Sequence, residues 1–317
     1  MSKFLADIDS MLSYRETLGF SSRAYNSHLK NFDRFCTVRY PLSESLTVEI
    51  VHEWLKEQSQ GKRNGLRGKT DAIRHLGKYI AASGKEAYIL PKGFVSDKST
   101  FTPYIFNDSE LRSFFDGVDA LKSNHYNPFA SEIVPVLFRL LYTCGLRPNE
   151  GRELKRTNIN FNTGEVLIVH NKRKKQRIVV MSDVMLEMCS QYDRQRTIFA
   201  ENSEYFFPAR NGMPYKTKML TSLMKQCWRL GNSNIPSDEL PNVRPYDLRH
   251  RFASAVLHKW LDEGKNLFAM LPYLRAYMGH DDFESTAYYI HLLPENLLKS
   301  AGINWKSLSA VLPEVEA

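Results

Sequence analysis

The chain has 317 residues, 43% apolar and 25% charged, with a formal net charge of +8. This length exceeds one typical domain, so two domains are expected, each with apolar content enough for a core. The basic surplus favours a polyanionic partner, since phosphate contacts release condensed counterions, but net charge says nothing about fold.

The first hundred residues read as helices. Tyr25, Leu29, Phe32, Phe35 and Cys36 share one helical face after a Ser21-Ser22 start signal. Thr47 suits the N-cap of a short helix carrying Val48, Val51, Trp54 and Leu55. Ile73, Leu76 and Ile80 mark a further amphipathic helix closed by Gly84. Before it comes GKRNGLRGK, a basic, glycine-rich turn; it reads as a solvated loop, or as a phosphate contact if the domain binds DNA. The stretch PKGFVSDKSTFTP lacks a periodic apolar pattern and is taken as the interdomain linker.

Asn107 and Glu110 resemble a capping box that opens the next helix. Helical pattern runs to about Leu141. The period then changes: Glu165–Val169 and Gln176–Val180 are short β-branched runs, and the basic stretch between them predicts a hairpin. Helical pattern resumes after Ser182. The fold class expected is mainly α with a small β-hairpin.

The cysteines, Cys36, Cys144, Cys189 and Cys227, are scattered singly with no CxxC, so buried free thiols are expected. The N-terminal MSKFLADIDSML carries acidic residues within its apolar stretch, unlike a signal peptide. No window approaches the roughly 18 apolar residues of a membrane span. A cytoplasmic protein without a membrane partner is expected.

Several features can carry chemistry, and each has a bland reading beside it. In GLRPNE, Arg147 precedes a helix start, where backbone N–H groups and a bidentate guanidinium suit a phosphate; an i,i+3 pair with Glu150 is the plain alternative. HNKRKKQR, between the two strands, is a solvated turn or a polyanion contact, and its Lys172 stands near a strand end. In RPYDLRHRFAS, Arg249 and His250 are expected at a second helix start, Arg249 gripping an anion or simply pairing with Asp247. His280 precedes Tyr289 by nine residues, and the adjacent Tyr288 leaves open which hydroxyl matters. There is no GxxxxGK[ST] loop, no GxGxxG and no metal-ligand cluster, so no cofactor and no metal are expected.

In order and spacing, Arg147, Lys172, Arg249, His280 and Tyr289 resemble the active-site series of the tyrosine recombinase (phage integrase, Xer-type) family. GLRPNEG resembles the family's first arginine box, YDLRHRFAS the second, Gly279-His280 the third, and Tyr289-Ile290-His291 the nucleophile motif. The likeness spans about Tyr104 to Leu292. More loosely, the N-terminal helices resemble the family's core-binding domain. The resemblance implies a helical, SAM-like core-binding domain over residues 1–95, a linker over 96–104, and an α+β catalytic domain with a C-terminal packing tail over 105–317.

The resemblance also implies a mechanism. Arg147, Arg249 and His280 would hold the scissile phosphate while Tyr289 attacks phosphorus to form a 3′-phosphotyrosyl link, and Lys172 would protonate the departing 5′ oxygen. Glu150 would orient Arg147 or Lys172. One position departs from the pattern: Tyr246 stands where the second box usually has histidine. A phenol of ordinary pKa about 10 can donate a hydrogen bond but is a poor base. His250 is next by proximity, although its position beside Arg249 is expected to point it elsewhere. Lys62, Arg63, Arg67, Lys69, Arg173, Lys174 and Lys175 are the candidate DNA contacts. Double-stranded DNA is the expected partner, with four protomers in the synaptic complex and a monomer when free. Two alternatives stand beside this reading: a catalytically impaired DNA-binding relative, with Tyr246 as the mark of a decayed site, and a type IB topoisomerase-like relaxation.

Overall fold

The computed structural model describes residues 1–59, 65–94, 103–169 and 176–292. They form two compact units, one within the first 94 residues and one beginning at Pro103.

The first unit is helical: α1 (Leu5–Thr17), α2 (Arg23–Arg39), α3 (Val48–Ser59) and α4 (Leu66–Ala82). Its core gathers Ile8, Leu29, Phe32, Trp54, Ile73 and Leu76, all nearly solvent-free. Burying each such side chain contributes about 1.5–3 kcal/mol. The Trp54 Nε1–H finds Asn31 Oδ1 at 3.0 Å, so the indole carries no unpaired donor into the core. The α2 start differs from expectation in its chemistry: the Ser22 hydroxyl donates to Leu12 O at 3.0 Å and ties α1 to α2 instead of capping. The basic turn also ends earlier than expected. Gly65 takes a left-handed φ of 109° and α4 starts immediately after it, so Arg67, Gly68 and Lys69 are helical. Gly68 permits a close helix contact, since a Cβ there would lie 2.9 Å from His28 Nε2.

The second unit opens with α5 (Asp108–Asp119). Asn107 Oδ1 accepts from the Glu110 N–H at 2.9 Å, and Glu110 Oε2 accepts from the Asn107 N–H at 2.8 Å, a reciprocal capping box. Then come α6 (Ala130–Thr143), the short α7 (Pro148–Arg152), strands β1 (Glu165–Val169) and β2 (Gln176–Val180), α8 (Asp183–Ala200), α9 (Thr217–Gly231), α10 (Pro245–Asp262), α11 (Leu267–Met278) and α12 (Glu284–Ala287). The chain leaves α12 in a 3-10 turn, Tyr288–Leu292. The strands pair antiparallel, Glu165 opposite Val180 through Val169 opposite Gln176. Val166, Ile168 and Val179 face the core while Ile178 and Val180 face outward, the period-2 alternation of a one-sided sheet.

Phe114, Leu137, Phe138, Phe206 and Met224 lie in the main core. There α5 and α9 cross at backbone distance through Gly117 and Gly231: a Cβ on Gly231 would fall 1.7 Å from Ser113 O, and one on Gly117 2.0 Å from Cys227 O. A second cluster joins Leu257, Leu271, Leu274 and Met278 with Tyr289 and Ile290, packing the 3-10 turn against α10 and α11. The four cysteines are buried and unpaired. Among the described residues no helix is long and apolar enough to cross a membrane.

Candidate active site

Three segment ends meet in the second unit: the α6–α7 turn, the second turn of α10, and the C-terminus of α11 with the residues that follow. Each is shaped by a local constraint. Gly145 has φ 58°, and a Cβ there would strike the Phe252 ring at 2.4 Å, so only glycine lets the α6–α7 turn lie on α10. Pro148 then starts α7, leaving Arg147 as its N-cap. Gly279, φ 65°, ends α11 in the left-handed conformation and delivers His280.

Arg147 is held on two sides. One Nη donates to Glu150 Oε1 at 2.8 Å, and the other donates to Gly279 O. The plain i,i+3 ion pair therefore exists, and it is part of the cluster. The free backbone N–H anticipated at this helix start is absent at Arg147, whose own N–H is taken by Glu150 Oε2 at 2.8 Å. Glu150 also receives both Nη groups of Arg177, at 2.9 and 2.7 Å, while Arg177 Nε donates to Tyr277 O at 2.8 Å. Burial opposes ionisation of Glu150, but Arg177 and Arg147 outweigh it and hold the carboxyl at about 2. One carboxylate thus clamps two guanidiniums and joins β2 to α7 and α11.

Arg249 is fully buried. It lies in the second turn of α10, not at the helix start, and it does not pair with Asp247. That carboxylate instead accepts from the Arg244 N–H at 2.7 Å and its Nη2 at 3.2 Å. Arg249 donates to Gly145 O and Met278 O, each at 2.7 Å, and to His280 Nε2 at 2.9 Å. Its Nε–H is buried with no hydrogen-bond partner. Since a guanidinium only donates, His280 Nε2 must be the acceptor, which leaves the ring proton on Nδ1 for Thr286 Oγ1 at 2.8 Å. Burial, then the charges of Arg249 and Arg147, push the His280 pKa down to about 3.

Tyr289 is 2% exposed. Its ring stacks on His280 with centroids 6.0 Å apart and planes 16° from parallel. Its hydroxyl meets His250 Nδ1 at 3.2 Å. Burial raises the phenol to about 12, against the lowering influence of Arg249 and Arg147. Tyr288, the adjacent phenol, touches Tyr289 edge-on and is raised by burial. Tyr246 is 38% exposed, stands one helical turn before His250 with ring centroids 5.2 Å apart, and faces the Arg147 guanidinium.

The expectation that His250 points away is corrected by this geometry. Successive helical residues diverge by roughly 100°, but the 3-10 turn bearing Tyr289 runs along α10 and meets both. His250 contacts its hydroxyl, while Arg249 reaches the α11 terminus.

Arg147, Glu150, Tyr246, Arg249, His280 and Tyr289 thus converge. Lys172 lies outside the described residues, as do Lys62, Arg63, Arg173, Lys174 and Lys175. Arg67 and Lys69 belong to the first unit, where Lys69 Nζ donates to Gln58 Oε1 at 2.7 Å. Arg177 and Thr286 went unrecognised in the sequence. Arg177 had a signal, since alternation along β2 puts it on the same face as the buried Val179; Thr286 had none.

A cluster of one buried and one partly buried arginine, a neutral histidine and a buried phenol can hold an oxyanion and present a nucleophile. A match to the phage integrase family covers residues 119–296. An integrase/recombinase of Sinorhizobium fredii, provisionally so named, is 24% identical over 296 residues, 91% of this chain and 92% of its own. Tyrosine recombinase XerD of Staphylococcus aureus is 26% identical over 200 residues, 62% of this chain and 61% of its own. The crystal structure of XerH site-specific recombinase, bound to palindromic difH substrate in a post-cleavage complex, shares the fold. Its TM-score is 0.65 at 19% identity, covering 87% of this chain and 77% of that one. The chain belongs to the phage integrase family. It is a tyrosine recombinase, an enzyme of DNA strand breakage and rejoining.

Proposed function

We propose that this enzyme performs site-specific recombination of double-stranded DNA with Tyr289 as nucleophile. The observation that carries the assignment is the placement of the Tyr289 phenol, buried against His280, which Arg249 itself holds. A phosphodiester resists attack because its charge repels the nucleophile and more charge develops in the transition state. Arg249 and Arg147 supply fixed positive charge where that negative charge grows, and each such donor is worth about 3–4 kcal/mol. The unpaired Arg249 Nε–H is a donor reserved for an acceptor entering the site. His280, neutral when DNA is absent, donates from Nε2 once that nitrogen gains a proton, a change that the negative charge of a bound phosphate favours.

Attack by Tyr289 leaves a 3′-phosphotyrosyl bond and releases a 5′-hydroxyl, with Lys172 as the proton donor to that oxygen. The covalent link conserves the phosphodiester energy, so a partner strand's 5′-hydroxyl can reverse it. Tyr246, at the exposed edge beside Arg147, donates to a non-bridging oxygen. The first unit is the core-binding domain and makes its own contact with the duplex. Exchange between two duplexes, each cut at two positions, calls for a homotetramer on DNA.

The test is a nicked suicide duplex, selected by binding from a randomised pool, incubated with wild type and with Tyr289→Phe. A covalent adduct from wild type that vanishes in the variant supports the assignment. An adduct of equal yield from the variant overturns it.

A further inference from the structure

The proton on the Tyr289 hydroxyl must leave as the oxygen bonds to phosphorus, and the second-box position that would be histidine in the family's pattern is Tyr246. The groups around the hydroxyl differ sharply in what they can accept. His280 has both ring nitrogens committed, Nε2 to Arg249 and Nδ1 to Thr286. Glu150 is clamped by two arginines, and Asp247 is buried against Arg244. Tyr246 is itself a phenol. His250 alone among the described residues brings a ring nitrogen to hydrogen-bond distance of the Tyr289 oxygen, 3.2 Å from Nδ1.

The surroundings fix that nitrogen as an acceptor. The His250 ring sits in a row of three, Tyr246 at 5.2 Å on one side and Tyr289 at 5.5 Å on the other. The phenol at Tyr289 carries its proton, because burial holds its pKa high, so the hydroxyl donates and Nδ1 accepts. Burial, then Arg244 and Arg249, keep the imidazole neutral at about 4, which leaves the lone pair available at neutral pH. A bound phosphodiester brings negative charge beside the ring and moves its pKa upward, toward the range in which a histidine works as a base.

We propose that His250 is the general base of strand cleavage, taking over in this chain the role that a histidine at position 246 would fill. The inference rests on Tyr289 being the nucleophile. In the forward step the Tyr289 O–H bond breaks and its proton goes to His250 Nδ1. The oxygen bonds to phosphorus, the bond from phosphorus to the 5′ oxygen breaks, and that oxygen is protonated by Lys172. On rejoining, the partner's 5′-hydroxyl attacks, its proton returns to Lys172, and the His250 imidazolium gives its proton back to the departing Tyr289 oxygen. Tyr246 shields the outer face of the imidazole and takes no proton.

The experiment uses the full chain and the same nicked duplex, and follows the rate of adduct formation. General-base catalysis is worth about 10²–10⁴-fold, so His250→Ala is expected to slow adduct formation by at least about 100-fold, with DNA affinity unchanged. His250→Asn keeps an acceptor near the Nδ1 position but cannot take a proton, and the same loss is expected. Added imidazole should restore part of the His250→Ala rate and none of the Tyr289→Phe rate. Replacing Tyr289 by a fluorotyrosine of lower phenol pKa should shrink the His250→Ala defect. Retention of the rate in His250→Asn, or an unchanged defect with fluorotyrosine, would reduce His250 to a positioning contact and overturn the proposal. An adduct formed by Tyr289→Phe would instead defeat the nucleophile assignment, a result distinguishable from the others.

Discussion

The α5–α9 crossing and the Arg147–Arg249 cluster are two buried regions of one unit, built on opposite principles. At the crossing, specificity is steric: Gly117 and Gly231 let two backbones touch. In the cluster, specificity is polar: two guanidiniums are held by the carbonyls of Gly145, Met278 and Gly279 and by Glu150. The first region tolerates no added atom. The second tolerates no removed donor, since each lost partner leaves a buried polar group unpaired. A fold can therefore fix its architecture by contact and its reactivity by hydrogen bonding, and substitutions should separate the two.

The largest effect is expected from Arg249→Lys. Lysine lacks the planar fork that spans two carbonyls and a phosphate, so adduct formation on the nicked duplex should fall about 10²–10³-fold. A rate within threefold of wild type would show that the polar cluster is not what makes the site reactive. Glu150→Gln comes next. It removes the one carboxylate shared by Arg147 and Arg177, a buried partner whose loss costs about 3 kcal/mol, and denaturant unfolding should register it together with slower cleavage.

Gly231→Ala sharpens the contrast from the other side. The new methyl would drive α5 from α9 and cost on the order of 2 kcal/mol, lowering the thermal midpoint. Cleavage per folded molecule should stay near wild type. A specific loss of rate at full folding would couple the crossing to the site and break the distinction.

The smallest effect is a pH dependence. The folded pKa values of His280 and His250, about 3 and about 4, lie below the ordinary 6.5. The unfolded chain therefore binds more protons, and stability falls as pH drops below 6.5. The slope is at most about 1.4 kcal/mol per pH unit for each histidine. Glu150, held at about 2, adds its own loss only below the ordinary carboxylate range, about 4.5. Thermal midpoints between pH 7 and 5 should fall less steeply in His250→Asn than in wild type.

Local chemistry was legible in the sequence where one residue type decides the outcome. The Asn107–Glu110 box, both strands and the apolar faces of α2 and α4 all follow from spacing and side-chain chemistry. Arg147, Arg249, His280 and Tyr289 could be picked out as a set, although only the fold brings residues so far apart in the chain to one place. What spacing could not show is direction. His250 was expected to turn away because helical neighbours diverge, and it meets Tyr289 because the 3-10 turn lies along α10. Arg177 looked like one more cation of a basic hairpin, yet the β2 alternation carries it inward to Glu150. Arg67 and Lys69 read as loop residues because three glycines surround them, whereas α4 begins directly after Gly65 and carries both.

The central claim is that DNA is joined to the Tyr289 oxygen. The most direct measurement is to trap the adduct on the nicked duplex, digest the protein and DNA, and identify the nucleotide-bearing peptide by mass spectrometry. The account predicts a single modified tyrosine, Tyr289. Modification of Tyr288 or Tyr246 instead would contradict it.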